Sequence, residues 1–459
     1  MSNTAASLEL VPPPSTPAQP EATLPPWSLP TRLVFRFFFC WLGLIVEPFP
    51  FRDLPGFRWI GWLADKALDK PFTWTMNLGA LMVGYHGPSD PAPNGSGDQS
   101  AYWIQNWGCI VFALILTIAW SAVELRRGRR PRRYDRLYAF LRFWTRYYLA
   151  FTLMGYAFAK IFAMQMPVPT TFQLEEPFGD ASPMTLLWTF MGASPAYEHF
   201  TGYAELAAGL LLLFRRTQLL GALTAAGVML NVVLLNLCYD VPVKILSSTL
   251  LMMALFLVVY DLPRLTAVVL RRPSPPAQEP KPAWAESLAP RWRWALVAAE
   301  VVAAVLIMTP SYSFEHQRSR DFAADMQHPA PFEGRWAVER QVVDGRELPP
   351  LLSESARWRS LIFSHYKLNI GALARRVDDT AVRMRIELDA AKHQMTLVTP
   401  HENAPPTRVV TTYTMADAEH MTISDEKKQL VLELRRLPPR KYLLLTRGFH
   451  WVNEEPFQR

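Results

Sequence analysis

Cysteine is scarce and unpatterned: Cys40, Cys109 and Cys238 fall in three separate apolar runs with no Cys-x-x-Cys or Cys-x-x-Cys-His spacing. A thiolate zinc site, a c-type haem and a disulfide framework each need such spacing, and none is expected. Small buried helix residues are the plainer reading of these cysteines. Histidine offers as little, because none of the nine stands in the middle of an apolar run and neither His-x-His nor His-Glu-x-x-His occurs. A bis-histidine haem and a helical zinc motif are therefore not expected. A phosphate loop is missing too: Asn94-Gly95-Ser96-Gly97-Asp98 is not followed by Gly-Lys-Ser or Gly-Lys-Thr, and it reads as a turn at a loop tip. A cleavable leader is not expected, since the first apolar run starts only near Leu33 and no small-residue cleavage site follows it.

The formal charge is +7, but the excess stands in short clusters beside apolar runs: Arg126 to Arg136, then Arg215 and Arg216, then Arg264, Arg271 and Arg272. Clusters so placed are topology signals, and no nucleic-acid partner is expected.

Long apolar runs dominate the first two thirds of the chain. Three lie close together, Phe200 to Phe214, Leu219 to Cys238 and Ile245 to Tyr260. A hydrocarbon core about 30 Å thick demands such runs at about 1.5 Å of helix per residue. Leu33 to Val46, Trp103 to Glu124, Phe140 to Phe162 and Trp294 to Thr309 complete a set of about seven spans. Phe57 to Leu68 is expected to lie in the interface, and Phe72 to Tyr85, about 14 residues, is short enough for an interfacial or re-entrant segment. With seven crossings the arginine-rich loops share one side, while Gln165 to Ala196 and Tyr239 to Val243 carry no Lys or Arg. The positive-inside rule then puts the N-terminus in the cytoplasm and the C-terminal domain in the periplasm of a bacterial inner membrane. The bilayer is the first partner the sequence implies.

The expected organisation is a disordered Pro-rich tail over 1–30, N-terminal spans with a long periplasmic loop over 31–139 and a four-helix membrane unit over 140–270. A cytoplasmic Pro-rich linker over 271–293, a last span over 294–310 and a β domain over 332–459 follow. In that last part the period changes to short β-rich runs, from Trp336 to Val343 through Tyr442 to Thr446, separated by turns such as Asp344-Gly345. Eight or nine such strands predict an all-β barrel or sandwich. Gly334-Arg335-Trp336 resembles the Gly-x-Trp of the first lipocalin strand. A small barrel either fills with its own side chains or holds one ligand.

Polar groups inside the apolar runs are the functional candidates. A charge at mid-helix costs about 2.5–3.5 kcal/mol on insertion scales, so Glu205 needs a partner. The expected topology brings Lys160, Glu205, Asn231, Asn236 and Lys244 to one half of the four-helix unit, with His199, Tyr203 and Asp240 at or just above it. These residues form a candidate ligand-binding set in which Lys160 and Glu205 pair and the asparagines offer amide donors and acceptors. A quinone headgroup beside an apolar channel fits that chemistry. The same residues also fit a purely structural role, with Lys160 snorkelling and the asparagines joining helices.

The region from Phe140 to Leu270 resembles the DoxX-like family of bacterial membrane proteins. Trp188-Thr-Phe-Met-Gly-Ala-Ser-Pro-Ala-Tyr197, Ala204-Glu205-Leu206 with Gly209, Phe214-Arg215-Arg216-Thr217 and Asn236-Leu-Cys-Tyr-Asp-Val-Pro-Val-Lys244 carry the resemblance. It implies a compact four-helix membrane unit and a redox setting, with quinone as the cofactor and a redox protein as partner. The resulting expectation is an accessory or redox-associated subunit. A non-enzymatic carrier or scaffold, whose β domain binds a small apolar ligand or a protein, is the alternative.

Overall fold

A computed structural model describes residues 26–45, 58–128, 133–273, 289–327, 329–366, 369–401 and 405–455. The expected disordered tail falls, over residues 1–25, outside the described residues, as does most of the Pro-rich linker, 274–288. The helical part comprises α1 (Leu29–Ile45), α2 (Arg58–Val83), α3 (Ser100–Arg126), α4 (Asp135–Ile161), α5 (Thr171–Glu175), α6 (Pro183–Gly192) and α7 (Pro195–Leu213). It continues with α8 (Gln218–Cys238), α9 (Lys244–Val259), α10 (Leu262–Val269) and the long α11 (Pro290–Gln327).

Helices α4, α7, α8 and α9 form a ring, each packed on the next and α9 back on α4; α1 and α2 pack on α3, and α11 packs on α4. Among the described residues, three helices are long and apolar enough to cross a membrane: α3, α8 and α11 from Trp294 onward. A fourth crossing is available if α9 and α10, bent by 70°, act as one broken span. The expected seven crossings are not supported by length and composition, for identifiable reasons. Helix α1 has only 17 residues. Helix α4 carries Arg136, Arg142, Arg146 and Lys160, and the 19 residues of α7 include Glu198 and Glu205.

Several of the buried charges are paired. Arg36 meets Glu124, and Tyr134 donates its hydroxyl to Glu124 Oε1 at 2.6 Å. Asp261 lies 3.7 Å from Arg142 and 2.9 Å from Arg264. Such pairing offsets the desolvation that would otherwise expel a charge from an apolar bundle.

Two local expectations change. The separate interfacial segments near Phe57 and Phe72 become one helix, α2, which runs through Pro71 and packs on α3. That contact is close: a Cβ on Gly108 would overlap the Thr75 carbonyl oxygen, and one on Gly79 would overlap that of Ile104. The Asn94–Asp98 segment is not a free loop tip: the Gly97 N–H donates to Pro242 O at 2.8 Å. Asp98 accepts from the Lys244 and Ile245 N–H groups at 2.7 and 3.1 Å. A carboxylate brought in from a distant loop thus caps the start of α9, where orphan N–H groups and the helix dipole favour an anion.

The C-terminal part is a closed antiparallel barrel of eight strands: β1 (Gly334–Val343), β3 (Trp358–Tyr366), β4 (Asn369–Arg376), β5 (Ala381–Asp389), β6 (Gln394–Thr399), β7 (Thr407–Met415), β8 (His420–Asp425) and β9 (Leu430–Arg436). A two-residue β2 (Arg346–Glu347) pairs with the end of β1. Closure runs from Trp336 opposite Arg436 to Val343 opposite Leu430, which selects the barrel over the sandwich. Alternate residues point inward, as the two-residue strand period requires: Trp336, Leu361, Phe363, Ile386, Met395, Ile423 and Leu432 are buried in one cluster. The expected last strand, Tyr442 to Thr446, is instead a short helix, α12 (Leu443–Thr446). Pairing of β9 with β1 leaves no sheet edge for it, and the preceding Pro438-Pro439 breaks the ladder.

Candidate functional site

Small residues bring α4 and α7 together. A Cβ on Gly202 would stand 2.9 Å from Lys160 Cβ and 3.0 Å from Ala157 O, and one on Gly209 would meet Met154 Cγ at 2.6 Å. At this contact Lys160 Nζ donates to both Glu205 oxygens at 2.8 Å. Both side chains are almost fully buried. Asn236 on α8 is held from α9: its Nδ2 donates to Ser247 Oγ at 2.9 Å.

These groups line one cavity of about 320 Å³ enclosed by α4, α7, α8 and α9, a size within the range of small-molecule sites. Lys160, Glu205, Asn231 and Asn236 all contribute to its wall. Leu153, Met229 and Leu250 supply an apolar remainder. Four lining residues, Tyr197, Phe200, Gly227 and Asn231, are exposed on the outside of the bundle, so the cavity opens sideways between α7 and α8. A Cβ on Gly227 would meet nothing within 4 Å.

The other expected site residues lie elsewhere. Tyr203 is exposed and His199 half-buried, and neither lines the cavity. Lys244 is 2.8 Å from Asp240 and 3.7 Å from Asp98, beside the capped start of α9. The periodicity of α7 explains the difference: Glu205 faces α4, whereas Tyr203, two positions away, turns outward.

Sequence reasoning missed the roof. Gln165 and Met166, just past α4, close the cavity with Leu187, Trp188 and Met191 of α6 and Val241. Glu198 fixes that strap; it is fully buried and accepts the Met166 N–H at 2.9 Å. Its position, seven residues before Glu205, puts it on the same face of α7, a spacing that could have flagged it.

Also unforeseen is the clasp between the helical part and the barrel. Glu175, at the end of α5 and buried, accepts from the Tyr442 hydroxyl at 2.8 Å and lies 3.1 Å from Arg335 and 3.4 Å from Arg440. Arg375 donates to the Glu175 carbonyl, and Arg383 meets Glu176 and donates to Asp180 O at 3.0 Å. Burial, followed by the bond to Glu175, pushes the Tyr442 phenol up to about 12. The visible signal was the Gln165–Ala196 loop, which has Glu175, Glu176 and Asp180 but no cation.

The Bacillus subtilis (strain 168) "Uncharacterized protein YwoB" is 36% identical to this chain over 128 residues, 28% of the chain and 81% of the relative. No family profile matches the chain. No solved structure matches it.

Proposed function

The chain belongs to the family of YwoB, and on that premise we propose that it is a membrane protein whose four-helix unit holds a quinone or a similar lipid-soluble molecule, in an accessory or redox-associated role. The observation that carries this reading is the single cavity in which a buried Lys160–Glu205 pair and two asparagines meet an apolar wall. Its mouth between α7 and α8 faces outward from an apolar helix surface, so a molecule dissolved in the bilayer could enter without passing through water. The headgroup would lie against Lys160, Glu205 and Asn231, and the tail would leave past Phe200 and Gly227. The DoxX-like resemblance of residues 140–270 supports the same redox setting. Helices α4 and α7, packed alongside the apolar α8 and α9, would cross the membrane with them because Lys160 and Glu205 neutralise each other, as do Arg142 and Asp261, within the bundle. The positive-inside pattern supports a cytoplasmic N-terminus and a periplasmic barrel in a bacterial inner membrane. The barrel interior, filled by its own side chains, favours this reading over a carrier whose barrel holds the ligand.

Mass spectrometry of small molecules co-purifying with the full chain in mild detergent tests the proposal. Wild type is expected to retain quinone. Glu205→Gln is expected to lose it, and Gly227→Leu, whose added Cβ meets nothing within 4 Å, is expected to obstruct the mouth and reduce it several-fold. Equal retention by all three proteins would refute the site.

A further inference from the structure

The end of the described chain is the most apolar exposed surface of the barrel domain, and nothing in the proposed site accounts for it. After β9 the chain passes Arg440 and Tyr442, forms α12, and runs on to Glu455. Leu443, Leu444, Phe449, Trp451 and Val452 are all exposed, Trp451 at 91% and Phe449 at 75%. The Phe449 and Trp451 rings touch each other, with centroids 4.9 Å apart, and leave their outer faces open. Contiguous exposed apolar groups of this kind mark a surface that is covered in use.

Two observations identify the cover. Tyr442 and Arg440, directly before α12, are bonded to Glu175, so the segment starts at the clasp that ties the barrel to the helical part. Phe178, three residues past Glu175 on the helical side of that clasp, is itself 80% exposed. The composition agrees: Trp, Phe and Leu stand among the charged Lys441, Arg447, Glu454 and Glu455, the amphipathic mixture that settles at a bilayer surface with its rings at headgroup level. We infer that residues 443–452 form a membrane-surface anchor, which lays the barrel against the same leaflet from which α4 emerges. Its partner is the surface of a lipid bilayer. A filled barrel with one apolar edge and a charged clasp beside it is thereby held in one orientation over the helices. This inference rests on the proposed crossing of α4 and not on what occupies the cavity.

The full chain, reconstituted in vesicles of phosphatidylethanolamine and phosphatidylglycerol, carries the photo-crosslinker p-benzoylphenylalanine in place of Trp451. A control protein carries it in place of Val410, an exposed residue of β7 on the far side of the barrel from the clasp. After illumination a lipid adduct at position 451 is expected in at least several-fold excess over position 410. An adduct to a second copy of the chain, no adduct, or equal lipid adducts at both positions would each overturn the anchor.

Discussion

Lys160 and Glu205 show how a buried charged pair lowers the mean hydropathy of the two helices that carry it. Each is costly alone in an apolar bundle, and together they are hydrogen-bonded at 2.8 Å. Removing one partner leaves the other charge buried without compensation, at a cost of about 3–5 kcal/mol, whereas replacing both by apolar residues of similar volume is often neutral or stabilising. Glu205→Gln alone should therefore lower the thermal midpoint of the detergent-solubilised protein by several degrees. The double replacement of Lys160→Met with Glu205→Leu should restore most of that loss while leaving the cavity without its charged groups. A double variant as unstable as the single one would show that the pair does not act as a unit. Because stability and ligand retention are predicted to part company in the double variant, the comparison also separates a structural pair from a binding pair.

Helix α7 is shaped by what it does not carry. Gly202 and Gly209, seven residues apart, let the α4 backbone approach, and Glu198 and Glu205 repeat at the same interval, so one face supplies both close contact and buried carboxylates. Gly202→Val would drive a branched side chain into Lys160 and Ala157, and overpacking of this kind costs about 1–3 kcal/mol. Gly155→Ala on α4 is the matched control. An added Cβ there meets nothing within 4 Å, and Gly in a helix interior is less stable than Ala by roughly 0.5–1 kcal/mol. Thermal unfolding should thus move down for the first change and up for the second. A drop for both would mean that the α4–α7 pair tolerates no change at either helix, and the close-approach argument would lose its basis.

The two halves of the molecule meet through a phenol, four arginines and two carboxylates. The Tyr442 phenol ordinarily titrates near 10.0 and is pushed up to about 12 where it is partly buried and bonded to Glu175. A group whose folded value is raised contributes stability that is complete below its unfolded value and is lost as pH climbs to the folded one. The difference in thermal midpoint between wild type and Tyr442→Phe should therefore be constant below about pH 10 and should vanish as pH rises to about 12. A difference that persists unchanged across that window would show that the hydroxyl does not hold the clasp.

The sequence by itself determined the division into an apolar helical part and a β part, because periods of 3.6 and 2 and runs of uncharged residues are local properties. It also pointed to Lys160, Glu205, Asn231 and Asn236, since an isolated polar group within an apolar run advertises its cost. Tertiary structure alone decided which charges cancel, and so why α4 and α7 fall short as isolated spans yet pack on each other. Only the fold brought Asp98 to the start of α9 and Glu175 to Tyr442, across 146 and 267 residues of chain. Only closure of β9 on β1 turned the expected last strand into a helix. These contacts depend on complementary groups meeting at a distance, and no window of neighbouring residues contains both partners.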